Sequence, residues 1–158
     1  MKNEEGTVIG ISLGTQYLGI AAVKNHELLE WKTHCFKGKW SYKKLKQILK
    51  KVCLTLDRYA PSKVGLKVPK SPYTSPQLQQ LVKSITELLN DRHITIRNYT
   101  VQDLKLHCFP AIKSNKDHVF RYLFELYPEL AGAYQRQQQS KWKYHTRAFE
   151  AICSAIMT

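Results

Sequence analysis

Apolar positions along this chain change their period in a regular order, and the order predicts the elements. Up to residue 35 they fall in three short runs, 7 to 13, 17 to 24 and 28 to 35, with Val8, Ile9, Ile11 and Ile20 among their β-formers. The last two are joined by the polar turn Lys24-Asn25-His26, so the three runs read as a meander of strands. The period then lengthens. After Ser41, an N-cap residue type, Leu45, Ile48, Leu49, Val52 and Leu56 recur at helical spacing while lysines fill the other face, predicting a helix over 41–58. Pro61 ends the connection, and Val64-Gly65-Leu66-Lys67-Val68 suits a buried parallel strand before Pro69 and Pro72.

A second helix is predicted from Ser75, with Pro76 at a favoured first position, the stripe Leu78, Leu81, Val82, Ile85, Leu88 and Leu89, and a stop at Asn90. Residues 93–98 read as a strand. Thr100 with Asp103, and Ser114 with Asp117, have capping-box-like spacing. The helix after Ser114 should turn Val119, Phe120, Leu123, Phe124 and Tyr127 inward before Pro128 halts it. Residues 135–140 read as a polar loop, and a last helix should bury Ala148, Phe149, Ile152, Ala155 and Ile156. The order β-β-β-α-β-α-β-α-α-α implies an α/β fold: three antiparallel strands, then two parallel strands reached by crossovers, with helices on both faces. Neither a repeat nor an interdomain linker interrupts it, so residues 1–158 are expected to form a single domain.

Charge changes the picture from fold to partner. Twenty-five Lys and Arg against 12 Asp and Glu give a formal net charge of +13, the footprint of a polyanion-binding surface. Lys37, Lys39, Lys43, Lys44, Lys46, Lys50 and Lys51 cluster around the first predicted helix, and Arg136, Lys141, Lys143 and Arg147 near the last one. Trp40, Tyr42, Trp142 and Tyr144 lie among them. Such rings stack on bases while the cations meet phosphates, or they staple helix starts to the core; both readings stay open. No stretch approaches the roughly 20 apolar residues that span a bilayer, and no signal-peptide pattern follows Met1, so the expected location is the cytoplasm, away from membranes. Cys35, Cys53, Cys108 and Cys153 are too widely spaced for a zinc motif and read as free thiols.

The opening segment Val8-Ile9-Gly10-Ile11-Ser12-Leu13-Gly14-Thr15, followed by Gly19-Ile20, resembles the first active-site strand of the ribonuclease H-like superfamily, most of all its RuvC-type Holliday-junction resolvases. Gly14 and Gly19 either take positive φ in a hairpin or admit a close backbone. Actin-like and heat-shock-chaperone ATPases open with a similar strand, but they need two large lobes, and no second phosphate loop is visible here. The resemblance implies a ribonuclease H-like mixed sheet and a two-metal carboxylate site. It also places three departures. The first acid of the family pattern is Ser12, the second, at the end of the strand before Pro69, is Lys67, and only the last, in the closing helix, remains an acid as Glu150, with Arg147 one turn earlier.

Two divalent ions about 4 Å apart require carboxylates to hold them, whereas a hydroxyl is neutral and an ammonium repels cations. The expectation is therefore a nucleic-acid-binding protein of degenerate site, with no metal and no cofactor. Its partner would be DNA or RNA, contacted through Lys43, Lys44, Lys46, Lys50, Lys67, Lys141, Lys143, Arg147, Trp40 and Trp142. Two alternatives stand beside it: an active Mg²⁺-dependent endonuclease or resolvase that uses Glu150 with a displaced Asp103 or Asp117, His145 serving as base, and a scaffold subunit that binds an acidic protein. The resemblance leaves a homodimer open.

Overall fold

Alternation along the first strand divides the sheet into two unlike faces. In β1 (Val8–Ser12) Ile9 and Ile11 belong to one apolar core, while Gly10 and Ser12 turn to the other side. The computed structural model describes residues 6–69, 74–108, 123–130, 132 and 146–158. β2 (Tyr17–Lys24) pairs antiparallel with β1, setting Ser12 opposite Gly19. It continues into β3 (Glu27–Cys35) through Asn25 and His26, both at positive φ (51° and 62°), the requirement of a type I′ hairpin. β4 (Lys63–Lys67) runs parallel to β1 and brings Lys67 beside Ser12; β5 (Thr95–Tyr99) runs parallel to β4. The sheet order is β3-β2-β1-β4-β5, the three antiparallel and two parallel strands that the pattern predicts.

Two crossover helices cover the first face. α1 (Tyr42–Tyr59) starts at Ser41, whose hydroxyl accepts the Lys44 amide at 3.1 Å, and α2 (Pro76–Asp91) starts at Ser75, whose hydroxyl accepts the Leu78 amide at 3.2 Å. Leu45, Ile48, Val52 and Leu56 of α1 and Leu81, Ile85 and Leu89 of α2 are buried with Ile9, Ile11, Val64 and Leu66. Each such side chain contributes roughly 1.5–3 kcal/mol by leaving water. The strand after α2 begins later than its composition suggests. α2 runs on to Asp91, and His93 takes a left-handed φ of 57° with its amide bonded back to Asn90, so extended pairing starts only at Thr95.

The second face carries α3 (Val101–Cys108), a helical turn at 123–126, a 3-10 turn at Pro128–Leu130 and α4 (Thr146–Met157). The Thr100–Asp103 capping box forms: the Thr100 amide donates to Asp103 at 2.8 Å and the Asp103 amide to the Thr100 hydroxyl at 3.3 Å. Leu123 and Tyr127 turn inward, and the Tyr127 hydroxyl donates to the His26 carbonyl at 3.0 Å. Phe124, expected inside, is 36% exposed, because it lies a hundred degrees around the helix from the Leu123–Tyr127 edge. The Ser114–Asp117 box, Val119, Phe120 and the 135–140 loop lie outside the described residues.

α4 lies unusually close to the sheet, and glycine makes this possible. A Cβ on Gly10 would run into the Ala151 carbonyl, and one on Gly19 into that of Arg147; Gly65 faces Ser154 in the same way. Neither Gly14 nor Gly19 has positive φ. Of the two roles open to them in the sequence, Gly19 has the close approach, and a Cβ on Gly14 would crowd the Tyr17 carbonyl and the Arg147 guanidinium. Phe149 and Ile152 meanwhile pack against Leu104, Leu123 and Leu130, so Ala148 to Ala155 are all buried. The helix is enclosed on both sides.

Candidate functional site

The sheet topology sends β1 and β4 to one edge with their carboxyl ends side by side, and α4 crosses beneath that edge. Ser12 and Lys67 end their strands in register with side chains toward α4, where Glu150 meets both. The Ser12 hydroxyl donates to Glu150 Oε1 at 3.2 Å, and Lys67 Nζ stands 3.2 Å from Glu150 Oε2. Arg147, one turn earlier in α4, places a guanidinium nitrogen 3.5 Å from Oε1. Three residues separated by up to 138 positions in sequence thus converge where the resemblance puts a metal site.

Burial decides how these groups behave. Ser12 is fully buried, and the side chains of Lys67 and Glu150 are 8% and 2% exposed, while that of Arg147 retains 31%. An ion pair this dry interacts strongly, and its members are expensive to separate. Two cations surround one carboxylate, so the cluster carries an excess positive charge that Arg147 presents to solvent. The residues do not fit a pair of divalent ions: one carboxylate is already taken by two cations, and a neutral hydroxyl completes the set. Among the described residues no group of three His, Cys, Asp or Glu side chains is placed to hold a metal. Asp103 is occupied as the cap of α3, accepting from the Thr100 amide and hydroxyl.

The basic residues around α1 divide by depth. Lys43, Lys46 and Lys50 are exposed, and Lys46 lies 4.7 Å from the centre of the Tyr42 ring. Lys44 is not part of that face. It is only 7% exposed, and its ammonium donates to the Gly38 carbonyl at 2.9 Å. Trp40 is half-buried, with its indole N–H donated to Gln80 of α2 at 2.9 Å. Lys141, Trp142, Lys143, His145 and Asp117 lie outside the described residues.

Reading the sequence missed Gly10 and Gly65, which seat the helix that carries Glu150. A glycine inside a strand is the available signal, since it weakens the strand unless another backbone comes close.

No family model matches the chain, and no curated protein matches it in sequence. Solved structures do resemble it. The T. thermophilus RuvC structure in complex with a Holliday-junction substrate superposes with a TM-score of 0.73 over 96% of this chain and 91% of that one, at 13% identity. Another Thermus thermophilus RuvC structure gives 0.67 over 94% and 91%, also at 13% identity. The five-stranded sheet and its helices are therefore a ribonuclease H-like fold. Within that class the arrangement is RuvC-type. No helix among the described residues is long and apolar enough to cross a membrane.

Proposed function

We propose that this protein binds DNA or RNA through a basic face and does not hydrolyse it. One observation carries the reading: the acid at the edge of the sheet, Glu150, is held by Lys67 and Arg147 at 3.2 and 3.5 Å, in the position where a nuclease of this fold would need carboxylates free for metal. The excess positive charge of the cluster suits a backbone phosphate, with Arg147 as the solvent-facing contact. The exposed Lys43, Lys46 and Lys50 extend the positive surface along α1. Because they carry no base-reading pattern, they position a strand without selecting its sequence.

A four-way junction is the first substrate to try, since the RuvC structure similar over 96% of this chain holds one. The test is binding of fluorescent junction, duplex and single strand between 50 and 200 mM salt. Each phosphate neutralised should weaken binding by about 3.5-fold over that range. Replacing Lys43, Lys46 and Lys50 together by Glu should weaken binding to all sequences alike and flatten the salt dependence by about three contacts. Affinity that is indifferent to salt, or a shape-specific acidic protein partner bound in its place, would overturn the reading.

A further inference from the structure

We propose that the cavity between the N-terminal ends of α1 and α2 is a phosphate site built around the buried Lys44 ammonium, and that it takes a phosphate group of a nucleic-acid chain. This rests on the nucleic-acid reading above for its ligand's source, though not for its chemistry. The cavity measures about 340 Å³ and is lined by Thr15 and Gln16 of the β1–β2 turn, Gly38 and Trp40 ahead of α1, Lys44 itself and Ser75 at the start of α2. It belongs to the same carboxyl edge of the sheet as Ser12 and Lys67, but to the side covered by α1 and α2.

Lys44 is the anomaly that points to a ligand. Its neighbours Lys43 and Lys46 are exposed, yet it is 93% buried with a single hydrogen bond, to the Gly38 carbonyl. An ammonium has three donors. Among the described residues every ion pair involves other cations, so no carboxylate balances this one. A charge drawn out of water without a counter-ion is costly, and an apolar side chain of the same length would serve the fold better. Among the described residues the lining carries an ammonium and no acid, which suits an anion.

The surroundings suit an anion with an attached base. α1 and α2 both begin here; the Ser41 and Ser75 hydroxyls already cap the Lys44 and Leu78 amides, and the positive ends of two helix dipoles lie beside the cavity. The Trp40 indole is pinned by its 2.9 Å bond to Gln80, a fixed flat wall that can stack on a ring beside the phosphate. Thr15 and Gln16 add hydroxyl and amide groups to the polar lining. The cavity and the Arg147 cluster would then engage two points along one strand.

The deciding experiment titrates inorganic phosphate against the full chain, with chloride at matched ionic strength as control, and follows backbone amide shifts by NMR. Saturable shifts at Thr15, Gln16 and Lys44, absent with chloride, are expected; no such shifts would overturn the site whether or not the protein binds nucleic acid. Short single strands with a 5′-phosphate and with a 5′-hydroxyl then identify the source. Lys44→Met should weaken binding about tenfold or more beyond the loss in Lys46→Met, the scale of one charge-assisted hydrogen bond. A loss confined to the phosphorylated strand marks a terminal phosphate, and an equal loss on both marks an internal one. A loss in Lys44→Met no greater than that in Lys46→Met would overturn the proposal, and the wild-type phosphate titration stands even if Lys44→Met fails to fold.

Discussion

Removing both partners of the buried Lys67–Glu150 pair should destabilise the fold less than the two single removals added together. At 3.2 Å, with an effective dielectric near 20, the pair's attraction is about 5 kcal/mol before desolvation is set against it. Glu150→Gln leaves an 8% exposed ammonium without its carboxylate, a change of the kind that costs about 3–5 kcal/mol. Lys67→Met should cost less, about 1–3 kcal/mol, because Arg147 still faces Glu150 at 3.5 Å. The double variant has neither buried charge. Its loss should fall short of the sum of the single losses by about 2 kcal/mol, the coupling expected of groups in direct contact. Urea unfolding of the four proteins, with midpoint and slope fitted for each, measures this cycle. Coupling below about 0.5 kcal/mol would refute the reasoning, since the two side chains would then act as independent surface groups.

Three further outcomes follow from the same structure. Ser12→Asp with Lys67→Glu should create a divalent-ion site with Glu150, seen as a rise in Tm on adding Mn²⁺ that wild type lacks; no rise would mean that restoring the acids does not restore a site. Gly10→Ala and Gly19→Ala should each cost at least about 2 kcal/mol by forcing α4 off the sheet, whereas Gly6→Ala, whose added methyl would stand 3.8 Å from Ser62, should cost little; equal effects would contradict the close approach. Burial, then Lys32 and Lys51, hold the His34 imidazole below its usual 6.5 against the opposing pull of Glu30, so the unfolded chain takes up the proton first. The resulting stability is full above pH 6.5 and lost as pH falls through the folded value, and His34→Gln should flatten that part of a Tm-against-pH curve.

How far the sequence could be read depended on whether one side chain's role is set by its own strand or helix. The strand runs, the α1 and α2 stripes and the caps at Ser41, Ser75 and Thr100 are local patterns, and each reappears in the fold. The convergence of Ser12, Lys67 and Glu150 came from the family resemblance, because no local pattern links positions 138 residues apart. The Lys67–Glu150 ion pair was not legible, since it depends on how deeply α4 sinks against Gly10, Gly19 and Gly65. Lys44 was read as part of the exposed lysine face, although it lies four residues before Ile48 and eight before Val52, on the apolar edge of α1. Its charge obscured its position. Phe124 misled in the opposite way, being apolar but one step out of phase with Leu123 and Tyr127.

We propose that this RuvC-type fold holds nucleic acid without cutting it. The most direct measurement gives purified protein a labelled four-way junction, a duplex and an RNA–DNA hybrid, in Mg²⁺ and in Mn²⁺, and follows binding and strand cleavage in the same samples. The account predicts bound, intact strands in both metals, because Glu150 stays committed to Lys67 and Arg147. Metal-dependent cleavage that disappears in Glu150→Ala would contradict it.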